Sequence, residues 1–327
     1  VRDRRIGARR GRRSVPDRAG AVEFAAIRLG RLGDLVMVEP ALRWLSATPR
    51  ARVRLVTEPR YVETFAAALP GIAVTSEVGE PALVLDLHRV AASRRLRRGH
   101  LWLGVDKEDV RRRLRVLAPQ WPLTTRFTWP ERHMDAAERA MRQLGVVPGP
   151  RPTPVPRLLA AGVREPGVLG LAPGAGHANK QWPVARFAEL AARWPGDVVV
   201  FGSDEERALA AAVGAPFAED TSLSGLIGGL SRCDVVVAGD TGTLHVAGAL
   251  GCSVVGLFGP TPTDTGFWVW EGQGTALRTG LGCSPCSLHG AAVCPKEHHR
   301  CLADLPVDAV LAAALDLASD LPDDRCA

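Results

Sequence analysis

Residues 233–262, CDVVVAGDTGTLHVAGALGCSVVGLFGPTP, constrain the fold of this chain more than any other stretch. Asp234 to Ala238 is a short run dominated by valine, the length of one strand buried on both faces. Gly239-Asp240-Thr241-Gly242 breaks the run with turn formers. From Thr243 to Leu250 the period changes to that of a helix, with Leu244, Ala247 and Gly248 at i, i+3 and i+4 and Gly251 as a stop. Ser253 to Phe258 is a second apolar strand, closed by Gly259-Pro260-Thr261-Pro262. A crossover through a helix brings the chain back in the same direction, so the stretch is a parallel βαβ unit.

The turn after the first of these strands opens a helix. The first amides of a helix lack internal partners and carry partial positive charge, so the turn is a ready anion site. Gly239 and Gly242 let a ligand approach the backbone, and Thr241 adds a hydroxyl. Asp240 would repel a phosphate but suits the hydroxyls of a neighbouring polyol. The plainer alternative is that Asp240 or Thr241 only caps the helix.

The same grammar runs along the chain. Phe24 to Leu29 reads as a strand, GRLGD as a glycine turn, and Leu35, Val38, Ala41, Leu42 and Leu45 as one helix face with Asp34 at its start. Strands follow at Arg52–Thr57, Ala82–Leu87 and Leu101–Val105, with helices at Tyr61–Leu69 and Glu131–Leu144. Residues 146–167 hold six prolines and read as a hinge. The pattern then restarts: strand Val168–Ala172, helix Pro183–Trp194 with Pro183 at its first position, strand Asp197–Phe201, helix Glu205–Val213, the βαβ unit, and a closing helix Asp308–Leu317. Strands alternating with helices in two halves predict two doubly wound, Rossmann-like α/β domains facing a central cleft. The expected divisions are a basic tail at 1–20, an amino-terminal domain at 21–150, a linker at 151–166 and a carboxyl-terminal domain at 167–327.

Charge narrows the partners. The formal net charge of +6 resides in residues 1–18, which carry eight arginines and two aspartates. That tail has no apolar segment for a secretory signal and reads either as a solvated extension or as a weak tether to an anionic membrane surface. Its arginines lack interleaved aromatics and the rest of the chain is neutral, which argues against nucleic acid. Nothing in the sequence has transmembrane length, and the expected location is the cytoplasm, with peripheral contact at the inner membrane as an option. Nine arginines between 88 and 115 (Arg89, Arg94, Arg95, Arg97, Arg98, Arg111, Arg112, Arg113 and Arg115) form either a solvated helix face or a wall for an acidic acceptor.

Seven cysteines without an export signal fit a reducing compartment. Cys233 and Cys252 sit in apolar surroundings. Cys283, Cys286, Cys294 and Cys301, spaced C-x2-C-x7-C-x6-C with His298 and His299 inside, satisfy the ligand types of a structural zinc; buried thiols or occasional disulfides are the alternative.

Open α/β sheets bind ligands at the carboxyl ends of their strands, which here are GRLGD (30–34), APGAGHANKQWP (172–183) and GDTGT (239–243). The second turn has Gly174 and Gly176 to free the backbone and Lys180 as a cation, a cradle for a diphosphate. It lacks the order of a Walker loop. No turn has the third glycine of a dinucleotide fingerprint, which disfavours a dehydrogenase using Glu58 as its ribose acid.

Taken together, IRLGRLGDLVMVEPALRWL, DLHRVAASRRLRR, LAPGAGHANKQWPVARFAELA, FGSDEE, the opening βαβ stretch and CSPC…CPKEHHRCL make the chain resemble the glycosyltransferase family 9 heptosyltransferases, which build the inner core of lipopolysaccharide. The resemblance runs from about Phe24 to Leu305. It implies the two-domain GT-B fold and an inverting, metal-independent and cofactor-free transfer of heptose from ADP-heptose to an anionic core glycolipid. A nucleotide-sugar-binding protein without catalysis is the alternative. By position, Asp34 matches the family's general base and Lys180 the lysine that grips the donor diphosphate. Asp240, Thr241, Gly242 and His245 match the donor-binding D-T-G-x-x-H. Gly174 belongs to the donor cradle, and Glu206, or its neighbour Glu205, matches the acid that receives the ribose. Arg94, Arg95 and Arg98 are the expected acceptor contacts.

The chemistry agrees with that assignment. Inversion needs one carboxylate to take the acceptor proton while the diphosphate departs from the opposite face, and closure of the cleft would bring the groups together. A helix N-terminus would lower the pKa of Asp34 and weaken it as a base, and a plain N-cap is its other reading. His245 reads equally as a phosphate contact or as a structural histidine.

Overall fold

The computed structural model describes residues 20–106, 116–117 and 127–319. The basic tail and Arg111, Arg112, Arg113 and Arg115 lie outside the described residues. The chain divides into two compact units, residues 1–107 with 129–156 and residues 108–128 with 157–327.

In the first unit, five strands pair in parallel: β1 (Val22–Ile27), β2 (Ala51–Val56), β3 (Ala73–Thr75), β4 (Leu83–Asp86) and β5 (Trp102–Gly104), in the order β3-β2-β1-β4-β5. The helices are α1 (Leu32–Val36), α2 (Glu39–Ala47), α3 (Pro59–Ala68), α4 (Ala91–Leu96) and α5 (Trp129–Gln143). Phe24 to Ile27 of β1 and Leu83 to Leu85 of β4 are fully buried, as their unbroken apolar runs require. The single helix expected over Leu35–Leu45 is instead two. Pro40 sits in the first turn of α2, where its missing N–H costs nothing. It cannot bond back to the Val36 carbonyl, so α1 stops there.

The second unit holds β6 (Leu169–Ala172), β7 (Val198–Val200), β8 (Val235–Gly239), β9 (Ser253–Leu257) and β10 (Gly274–Leu277), all parallel in the order β10-β9-β8-β6-β7. Its helices are α6 (Val184–Arg193), α7 (Arg207–Ala211), α8 (Leu223–Arg232), α9 (Gly242–Ala249), α10 (Arg300–Ala303) and α11 (Val307–Ser319). A core of Leu169, Leu171, Val235, Val237, Val255 and Leu257 packs under Trp182, Phe187, Leu190, Leu302 and Val310. Pro183 is the N-cap of α6 rather than its first residue. The helix expected from Glu205 begins as a 3-10 turn, Asp204–Glu206, because Glu206 folds back onto the Ser203 amide as a capping box.

The helix α8 is not among the expected elements, although Leu223, Leu226, Ile227 and Leu230 lie at i, i+3, i+4 and i+7 behind the N-cap Ser222; its three glycines weaken the helical signal. Packing explains its glycines: a Cβ on Gly229 would lie 2.6 Å from the Phe201 ring, and one on Gly225 would strike Asp220. The proline-rich segment carries neither helix nor strand and is pinned at both ends. Trp44 Nε1 donates to the Gly149 carbonyl (2.9 Å) and Arg43 Nη2 to that of Val155 (3.1 Å), while the Leu158 amide donates to Ala249 (2.8 Å).

Candidate active site

In the second sheet β6 and β8 lie side by side, yet the chain leaves β6 towards β7 on one flank and leaves β8 towards β9 on the other. Connections that diverge in this way open a crevice at the strand ends. The turn after β6 and the turn after β8 meet at that point. Lys180, at the end of a short 3-10 turn (Ala178–Lys180), places its Nζ 2.8 Å from Asp240 Oδ2. The contact depends on Gly239, where a Cβ would lie 2.8 Å from the Lys180 carbonyl oxygen.

Burial opposes the charge on Asp240, but Lys180 and, behind it, His245 hold its carboxyl below the usual carboxylate range. His245 is 3% exposed. Its Nδ1 lies 3.4 Å from Trp270 Nε1 and its Nε2 3.9 Å from Asp240 Oδ1. The imidazole therefore backs the aspartate.

Neither Asp240 nor Thr241 caps α9. Thr241 is the N-cap by backbone conformation, but its side chain makes no capping bond. Thr241 Oγ1 is shielded from solvent and has no hydrogen-bond partner among the described residues. The helix thus begins with free donors beside Lys180. Glu206 and Gly174 also come together: a Cβ on Gly174 would overlap Glu206 Oε1, so the carboxylate lies directly over the glycine turn. The Oε2 of Glu206 accepts the Ser203 amide at 3.0 Å.

The first unit repeats the arrangement where β1 and β4 adjoin. Asp34 follows β1, its Oδ1 2.7 Å from Arg28 Nη2, and Arg28 Nη1 donates to the Leu87 carbonyl beyond β4 at 2.8 Å. Burial pushes the Asp34 carboxyl up, but Arg28 outweighs it, with smaller help from His88 and His133, and the pKa falls below the ordinary aspartate value. Asp34 is not an N-cap. Arg31 occupies that position in α1 and Asp34 lies three residues further on, so an arginine rather than the helix end dominates its titration. Arg28 went unnoticed in the sequence because it sits in a strand-like run; an arginine six residues before the aspartate was its only signal.

Arg94, Arg95 and Arg98 are exposed on and just after α4. Arg97 packs inward, whereas Arg89 is exposed and its backbone amide meets the sheet. Arg97 lies 3.4 Å over the Trp102 ring and pairs with the buried Asp86 at 3.2 Å, and the Arg89 amide donates to Asp86 Oδ1 at 2.7 Å.

Among the described residues no group of three or more His, Cys, Asp or Glu is arranged to hold a metal ion. Cys283, Cys286, Cys294 and Cys301 are free thiols, and only Cys301 is buried, which pushes its thiol up to about 11. Cys283 Sγ lies 3.8 Å from His298 Nε2. Cys233 and Cys252 are buried, as their apolar surroundings require.

The profile of glycosyltransferase family 9 (heptosyltransferase) matches residues 90–294. The chain belongs to that family. Lys180, Glu206, Asp240 and His245 fall inside the matched range and Asp34 outside it. Lipooligosaccharide heptosyltransferase 2 of Campylobacter jejuni subsp. jejuni serotype O:2 is 28% identical over 165 residues, 46% of this chain and 50% of the relative. The chain thus spans about half the length of the curated relatives it matches. Among solved structures, E. coli ADP-heptose LPS heptosyltransferase II superposes with a TM-score of 0.66 at 22% identity, covering 91% of this chain and 99% of that one. E. coli heptosyltransferase WaaC with ADP gives 0.65 at 16% identity, covering 92% and 100%. These likenesses establish the fold: two parallel-sheet α/β domains of the GT-B type. No helix among the described residues is long and apolar enough to cross a membrane.

Proposed function

We propose that this protein is an inverting, metal-independent glycosyltransferase that moves heptose from ADP-heptose to an anionic lipopolysaccharide-core glycolipid. The observation that carries the reading is the Lys180–Asp240 pair, set at the strand switch point beside the uncapped start of α9 in a family 9 chain.

Lys180 and the first amides of α9 receive the donor diphosphate. A lysine has three donors on a flexible stem, so it can keep Asp240 with one and meet a phosphate oxygen with another. Asp240 accepts sugar hydroxyls, the donor gives Thr241 Oγ1 the partner it lacks in the free protein, and Glu206 over Gly174 receives the ribose. Asp34 is the general base. It takes the proton of the acceptor hydroxyl as that oxygen bonds to the anomeric carbon, while the bond from that carbon to the diphosphate breaks and ADP leaves. Charge on the leaving group is met by Lys180 and the helix amides, so no metal is required. A carboxylate held low by Arg28 is a weak base in the ground state, and proton transfer late along the coordinate, when the attacking oxygen is already acidic, removes the difficulty. Arg94, Arg95 and Arg98 draw in the anionic acceptor. Work at the cytoplasmic face of the inner membrane follows from such an acceptor.

The test incubates the protein with ADP-heptose and a heptose-deficient core glycolipid. Release of ADP with matching growth of the acceptor is the expected result. ADP-heptose binding without transfer would leave a binding protein in place of the enzyme.

A further inference from the structure

The segment between β10 and α10, residues 278–299, carries three of the four clustered cysteines, and the proposed chemistry makes no use of it. It straps the lysine turn. Asn179, the residue before Lys180, is 4% exposed and is held three times by this segment. Its amide donates to the Ala291 carbonyl (3.4 Å), its Oδ1 accepts the Ala291 amide (2.8 Å), and its own carbonyl lies 2.8 Å from His299 Nε2. A carbonyl can only accept, so His299 is the donor in that bond.

Two features turn this strap into a constraint on Lys180. The Asn179 carbonyl belongs to the planar peptide that includes the Lys180 nitrogen, so fixing that oxygen fixes where the Lys180 side chain sets out. Gly290 then lies against the lysine stem. Its φ is +92°, and a Cβ there would stand 2.6 Å from Lys180 Cδ and 2.9 Å from His177 Cβ. Ser287 Oγ holds Gly290 in place by accepting its amide (2.9 Å) and donating to its carbonyl (3.0 Å). His299 is itself anchored. It is the N-cap of α10 with a left-handed backbone, φ 49°, and the next turn buries Cys301 and Leu302 against Gly259.

The geometry points to His299 as a positioning residue for the donor diphosphate: by holding the Asn179 carbonyl it sets the Asn179–Lys180 peptide, so that the ammonium is presented at the strand switch point before the donor arrives. This rests on the reading of Lys180 as the diphosphate ligand. The lysine stem then has less freedom to lose on binding, which raises affinity for a diphosphate without any contact between His299 and the ligand.

Calorimetric titration with ADP and with AMP tests this on wild type, His299→Ala, His299→Gln, Lys180→Ala and the His299→Ala/Lys180→Ala double variant. His299→Ala should weaken ADP about tenfold, within the range of coupling between neighbouring groups, and leave AMP nearly unchanged. His299→Gln, whose amide can still donate to the Asn179 carbonyl, should restore most of the loss. The double variant should be no weaker than Lys180→Ala alone. Wild-type ADP affinity in His299→Ala, an equal loss for AMP, or a penalty that persists in full without Lys180 would overturn the proposal while leaving the donor site standing. ADP binding unchanged in Lys180→Ala would overturn the donor reading itself. Should His299→Ala fail to fold, Gly290→Ala carries the same test, since its Cβ crowds the lysine stem and the selective loss of ADP should recur; unchanged ADP affinity there would count against the strap.

Discussion

In both units the segment that follows a central strand carries an aspartate paired with a cation, and the two pairs differ in a way that separates their work. In the first unit the partner of Asp34 is Arg28, a residue of the strand end itself, 8% exposed and tied at its other nitrogen to the Leu87 carbonyl. Both of its terminal nitrogens are engaged by the protein, while its buried Nε has no partner among the described residues. In the second unit the partner of Asp240 is Lys180, which comes from a different turn and is more exposed, at 12%. A lysine on a long stem can be shared with an incoming anion. The fixed pair is suited to keep a carboxylate charged and aimed, and the adaptable pair to exchange part of its interaction for a ligand.

Variants break that comparison in order of expected effect. Asp34→Ala should lower turnover by about 1,000-fold, read as initial rate of ADP release, with little change in ADP affinity. Lys180→Ala should weaken ADP by roughly 10- to 100-fold in calorimetry, the worth of one charge-assisted hydrogen bond. Next comes Arg28→Met. It removes the main influence holding the Asp34 carboxyl down and leaves burial opposed only by the smaller influence of His88 and His133, so the acid limb of the pH–rate profile should move to higher pH. An acid limb that stays in place would detach Asp34 from the rate. The same direction governs stability. A carboxyl depressed in the folded state stabilises fully above its unfolded value, and the contribution disappears as pH falls through the folded one. Asp34→Asn and Asp240→Asn should each flatten the acid side of a thermal-unfolding profile. The smallest effect belongs to Thr241→Val, which removes a buried hydroxyl without a partner. The free protein should gain a little stability and ADP should bind about fivefold more weakly, about 1 kcal/mol; a gain in stability with unchanged binding would make Thr241 purely structural.

Much of the frame was legible because valine-rich runs and glycine turns report buried parallel strands directly. The stretch around Asp240 shows this well: strand, turn and helix fall within a residue of their expected places. What sequence could not show depended on partners distant along the chain. The glycines of α8 weaken a helix that Leu223, Leu226, Ile227 and Leu230 otherwise spell out, and the reason for them is visible only with Phe201 and Asp220 packed against them. Pro40 divides a continuous apolar face because the backbone, not the periodicity, decides where a helix ends. At the site, residue types at strand ends pointed to Asp34, Lys180 and Asp240, but not to Arg28 beside the first or to the strap through Asn179 and His299 behind the second. Those depend on contacts such as His299 with Asn179, which lie 120 positions apart.

The division of labour between the two pairs is tested most directly by titrating ADP into Asp34→Ala and Lys180→Ala side by side. The account predicts wild-type affinity in Asp34→Ala and a loss of at least about tenfold in Lys180→Ala. Equal losses in both, or a loss confined to Asp34→Ala, would contradict it.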